Sequence, residues 1–177
     1  MRQKTILLIS MIFSWAGFAP GETPCLAFLG DSLTAGYNLS ADQAYPALVA
    51  RKMEDRGLAW RVINSGISGD TTAGGLRRID WLLRNRIDLL VIALGANDGL
   101  RGFNPKEVEA NLEAMILKVR EKSPSTRIAL AGMKLPDNMG ADYQDAFAAV
   151  FPRVAGRFDI PLLPFLLEGV AGQPDLN

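Results

Sequence analysis

Histidine is absent from all 177 residues, and cysteine occurs once, at Cys25. One cysteine excludes an internal disulfide, and the missing histidine removes the common zinc sites built from His and Cys. A Mg²⁺ or Ca²⁺ site made of carboxylates stays open, but the acidic residues show no clustered ligand pattern. Excess charge of one sign is lacking too, since 19 basic residues balance 19 acidic ones. That balance leaves no electrostatic footprint for nucleic acid or an anionic membrane surface. Three nucleotide or hydrolase signatures are also missing: the Lys-bearing P-loop, the G-x-G-x-x-G fingerprint and the G-x-S-x-G nucleophile elbow.

What remains is an ordinary folding composition, 49% hydrophobic and 21% charged, at a length that suits one domain with one core. The N-terminus reads separately. Arg2 and Lys4 precede an apolar run over residues 6–18, followed by Ala19, Pro20 and Gly21. A charged head, a short apolar stretch and small residues make a secretory signal pattern, and the run is short for a membrane span. Residues 1–20 are therefore expected to be a signal peptide, with residues 24–177 forming the domain, exported to the periplasm or secreted. Bulky Phe18 and Pro20 make a poor cleavage site, so a retained apolar segment is the alternative.

Short apolar runs alternate with helical patterns along the rest of the chain. The expected strands cover 25–29, 60–64, 89–94, 127–133 and 160–163, and the expected helices cover about 45–56, 72–85, 105–122 and 142–158. The third helix has the clearest signals. Asn104 suits its cap, Pro105 the first helical position and Glu107 the capping-box carboxylate. Val108, Leu112, Met115, Ile116 and Val119 then form one apolar stripe. Pro152 is expected to kink or break the fourth helix. Apolar strands between amphipathic helices imply βαβ units and a parallel sheet covered on both faces. Ligands of such sheets bind at the carboxyl ends of the strands, so the loops that follow strands are where function is sought.

Three of those loops carry polar blocks. The first is Gly30-Asp31-Ser32-Leu33, the second Ser68-Gly69-Asp70-Thr71 and the third Gly95-Ala96-Asn97-Asp98. Each alone has a plain reading: Ser32 as a helix cap, Asn97 and Gly99 as a turn, Gly69 to Thr72 as a helix start. Together they offer a hydroxyl, backbone N–H groups and a carboxamide at one sheet edge. Those are the parts of acyl transfer, in which a serine attacks a carbonyl and preset donors hold the oxyanion. Loops of this composition at helix N-termini also bind anions, so a nucleotide- or anion-binding domain is the weaker alternative.

In order and spacing these blocks resemble the GDSL/SGNH hydrolase family. The likeness runs from about Cys25 to the end of the chain. It is nearest to the thioesterase I/lysophospholipase/arylesterase branch, through residues 95–102 and 161–165. The resemblance implies a three-layer α/β/α domain with a flavodoxin-like parallel sheet. It also implies Ser32 as nucleophile and Gly69 and Asn97 as oxyanion donors, with a small-molecule acyl ester or thioester as substrate and no cofactor. Asp31, Asp70 and Asp98 are read as groups that shape loops or cap helices.

One family block has no counterpart. The Asp-x-x-His that supplies the general base is missing, because Asp175 is followed only by Leu176 and Asn177. The expectation is a C-terminally incomplete hydrolase domain without its last helix, inactive as the given chain. The alternative is a non-catalytic homologue that keeps the pocket and binds acyl ligands.

Overall fold

The computed structural model describes residues 22–171. Five strands form one sheet: β1 (Cys25–Gly30), β2 (Arg61–Gly66), β3 (Leu89–Ala93), β4 (Arg127–Ala131) and β5 (Leu162–Leu163). All neighbours pair in parallel, in the order β2-β1-β3-β4-β5. Every residue of β1 and β3 is buried, as expected of central strands covered on both faces, while β2 at the edge is partly exposed.

The pleat sorts these strands into two cores. Ala27 and Leu29 of β1, Leu90 and Ile92 of β3 and Leu130 of β4 face one side. They pack against helices α3 (Thr72–Leu82), α5 (Pro105–Lys122), α6 (Ala141–Ala148) and α7 (Val150–Phe158). Leu26, Phe28, Leu89, Val91 and Ala129 face the other side, with Met53, Tyr45 and Val49 of α2 (Tyr45–Glu54). The result is the expected α/β/α arrangement with flavodoxin-like strand order.

Helix α5 forms as its signals predict. The Asn104 side chain accepts from Lys106 N–H at 3.0 Å, and all five stripe residues are fully buried. Each such side chain stabilises the fold by roughly 1.5–3 kcal/mol relative to exposure. The predicted fourth helix is instead two, meeting at Ala149. Pro152 lies in the first turn of α7, where its absent N–H leaves no helical bond unmade. Phe147 and Phe151 pack edge to face across that junction at 5.4 Å. The predicted signal segment 1–20 and Asp175 lie outside the described residues.

In this strand order the chain leaves β1 and β3 in opposite directions, which opens a crevice between their carboxyl ends. The first and third polar blocks sit there.

Candidate active site

Two short helices absent from the sequence expectation start at that crevice: α1 (Ser32–Ala35) after β1, and α4 (Ala96–Leu100) after β3. Asp31 caps α1 by accepting from Leu33 N–H at 3.0 Å, and Gly36 ends the helix at φ 77°. Ser32 is thereby the first residue of a helix set directly on a buried strand. The seat is tight. A Cβ on Gly66 of β2 would fall 2.2 Å from the Ala35 nitrogen, so glycine is what lets α1 lie this close.

The second block follows β2. Gly69 has φ +80°, a backbone state that other residues adopt only with strain. Its carbonyl accepts from Arg101 Nη2 at 3.0 Å. The N–H groups of Ser32 and Gly69 donate no hydrogen bond among the described residues. Asn97, the second residue of α4, donates through Nδ2 to the Asp70 carbonyl at 2.9 Å, which leaves its other amide hydrogen unspent.

The three acidic neighbours are structural. Asp70 accepts from Arg78 Nε at 2.7 Å and from Thr71 N–H at 3.0 Å. Asp98 is buried and accepts from both the N–H and the hydroxyl of Thr72, at 2.9 and 2.6 Å, joining the third loop to the start of α3. Asp31 is 1% exposed, and its Oδ2 has no partner. Burial pushes its pKa up, more strongly than the Leu33 N–H pulls it down, and the charges of Asp70 and Asp98 add to the rise. Below α1, the Thr34 hydroxyl meets the Tyr45 hydroxyl at 2.9 Å, and burial raises the Tyr45 pKa to about 12.

Arg78 is the residue that sequence reading missed. Besides Asp70 it binds Ser65 Oγ at 2.7 Å and the Gly30 carbonyl at 3.0 Å. One guanidinium fork therefore joins the end of β1, the end of β2 and the second polar block. Nothing in a helical arginine eight positions after Asp70 announces this. Only the closeness of the two strand ends does.

Ser32 and Asn97 line one cavity of about 670 Å³, with Asp31, Leu135, Phe165 and Glu168 among its walls. Gly69 is outside that lining and is tied to it through Asp70 and Asn97. Lys134 and Glu168, both in the cavity wall, pair at 2.5 Å. A second cavity of about 220 Å³ lies beside Leu33 and is lined mainly by apolar groups, including Phe28, Val91 and Leu163. A depression of about 610 Å³ at the other end of the strands, around Arg120 and Asp159, holds none of the polar blocks. Among the described residues no three His, Cys, Asp or Glu side chains gather as a metal site.

Residues 28–177 match the GDSL-like Lipase/Acylhydrolase family model. The chain belongs to this family. It is 38% identical over 170 residues to an arylesterase of Vibrio mimicus, covering 96% of this chain and 84% of that protein. It is 40% identical over 158 residues to thioesterase 1/protease 1/lysophospholipase L1 of Escherichia coli strain K12, covering 89% and 74% respectively. The crystal structure of AlinE4, an SGNH-hydrolase family esterase, superposes with a TM-score of 0.83 at 40% identity, over 90% of this chain and 85% of that one. This GDSL chain is thus of the esterase/thioesterase type, as the residues of its three loops imply, and its fold is that of SGNH hydrolases.

Proposed function

We propose that the crevice is an acyl-transfer site with Ser32 as nucleophile and with Ser32 N–H, Gly69 N–H and Asn97 Nδ2 as oxyanion donors. The observation that carries this reading is the shared cavity. Ser32 opens into the same space of about 670 Å³ as Asn97, whose amide is already anchored on Asp70 with one hydrogen left to give. Attack by Ser32 Oγ forms a C–O bond and turns the carbonyl oxygen into an oxyanion, which the three donors would hold. Collapse then expels an alkoxide or thiolate, which takes up a proton, and leaves an acyl-serine. The relatives' names, arylesterase and thioesterase/lysophospholipase, support carboxylic esters or thioesters as the substrate class. The apolar cavity beside Leu33 supports an acyl chain as part of the substrate.

The proton on Ser32 is the difficulty. No imidazole is available to take it, because the chain has no histidine. Asp31 does not substitute, since one carboxyl oxygen caps α1 and the side chain is buried. On this reading residues 1–177 turn over negligibly, retaining only the oxyanion hole's share of catalysis, about 10³–10⁴-fold over water. Steady-state assays with p-nitrophenyl butyrate and an acyl thioester test it, the expected rate being no higher than that of Ser32→Ala. Sustained hydrolysis abolished by Ser32→Ala would contradict the claim of a missing base.

The same absent histidine favours a second reading, an acyl-binding site without chemistry. Saturable fatty-acid binding with no acyl-serine formed would select it. We further assign residues 1–20 to export and residues 24–177 to the hydrolase domain. N-terminal sequencing of the exported protein tests that division.

A further inference from the structure

Nine large apolar side chains are exposed among the described residues, and they are not evenly spread. Three of them, Leu48, Trp81 and Leu117, sit one apiece on α2, α3 and α5. The other six, Tyr37, Leu39, Ile67, Leu100, Phe103 and Leu166, all lie in segments that leave the carboxyl ends of strands. Four strands contribute: β1 sends out Tyr37 and Leu39, β2 Ile67, β3 Leu100 and Phe103, and β5 Leu166. Tyr37 is 66% exposed, and Leu100 is 55% exposed although it lines a cleft that has room to bury it.

Three of these residues are tied to the site directly. Leu100 lines the larger cavity and Leu166 the smaller. The Ile67 N–H donates to the Gly30 carbonyl at 3.0 Å, which fixes that loop beside the start of α1. The Arg101 bond to the Gly69 carbonyl holds the Leu100 segment against the second block. A concentration of exposed apolar groups around one mouth marks a binding surface, whereas single scattered ones do not.

We infer that this rim docks on the surface of aggregated, zwitterionic acyl lipid and presents the Ser32 crevice to it. The inference rests on the acyl-ester reading of the crevice. Ester substrates with long chains collect in micelles and bilayers, so an apolar collar continuous with the acyl cleft meets them where they are concentrated. Charge favours a zwitterionic surface over an anionic one. The chain is neutral overall, and Lys134, an exposed cation at the cleft, is already paired with Glu168. Tyrosine and leucine are the side chains expected at such a boundary, and binding of this kind scales with the apolar area inserted.

Flotation of the full chain with phosphatidylcholine vesicles tests the proposal without turnover. The rim variant Leu39→Asp/Phe103→Asp is compared with Trp81→Asp/Leu117→Asp, which changes two more exposed apolar residues on helices. Parent and variants are each floated with and without residues 1–20, whose apolar run would itself partition into vesicles, the form without them deciding, and circular dichroism checks that all fold. The expected result is at least about a tenfold loss of partitioning for the rim variant and less than twofold for the helix variant. Equal binding by the two variants, or no binding by the parent chain, would each overturn it. Ser32→Ala should float like the parent, so loss of acyl chemistry at Ser32 is read separately from loss of docking.

Discussion

Arg78 Nε stands 2.7 Å from Asp70 Oδ2, with the two side chains only 19% and 11% exposed. The same guanidinium reaches Gly30 and Ser65, so this ion pair is the knot between two strand ends and the loop that carries Gly69.

Cutting that knot should be expensive. Arg78→Ala strands the Asp70 carboxylate and leaves the Gly30 carbonyl with only the Ile67 N–H. Removing one partner of a buried pair costs about 3–5 kcal/mol, and the residual exposure puts this case near the lower end. Arg78→Lys keeps the charge but has one ammonium where a planar fork served three acceptors, so it should recover only part of the loss. Urea unfolding of both variants measures it. An unchanged midpoint for Arg78→Ala would remove Arg78 from the account.

The contact of α1 with β2 allows no extra carbon. Gly66→Ala would place a methyl 2.2 Å from a backbone nitrogen, which no rotamer can relieve. The helix carrying Ser32 must then shift, at a cost typical of overpacking, about 1–3 kcal/mol or more. Gly57→Ala provides a contrast, because its added carbon meets nothing within 4 Å, and its φ of +72° makes backbone strain its only cost. A larger fall in thermal midpoint for Gly66→Ala than for Gly57→Ala is the expected outcome.

Much of this arrangement was legible in the sequence. The apolar runs at β1 and β3 could be read because strands buried on both faces are continuously apolar, and α5 because cap, proline and stripe agree. Blocks placed after strands gave the location of Ser32, Gly69 and Asn97, since a parallel sheet brings such loops to one edge. Helices α1 and α4 could not be read, at four and five residues, because neither completes the two turns that periodicity needs. Arg78 was hidden for another reason. Its partners, Gly30, Ser65 and Asp70, come from two strands and a loop, and only tertiary packing brings them within reach of one side chain.

Asp31 carries a pH signature of unusual sign. Its pKa is raised in the folded protein, chiefly by burial, so the native state holds its proton more tightly than the unfolded chain does. Stability from this group is therefore fully present below the unfolded pKa near 4 and is lost as pH rises through the higher folded value. Asp31→Asn retains a side-chain oxygen to accept from Leu33 N–H and places no charge in the buried site. Stability of the parent relative to Asp31→Asn should fall as pH is raised from about 4 toward neutrality. A difference that stays constant or grows in the parent's favour over that range would count against the burial argument.

The central claim is that Ser32 faces a prepared oxyanion site while residues 1–177 hold no histidine to act as its base. Intact-mass measurement after prolonged incubation with an activated p-nitrophenyl ester tests it most directly. The account predicts slow acylation to one adduct per chain, mapped to Ser32, absent in Ser32→Ala and slowed by about 10²–10³-fold in Asn97→Ala. Deacylation needs the same base, so the adduct should persist. An adduct that forms equally in Ser32→Ala, or no adduct in the parent chain at all, would contradict the account.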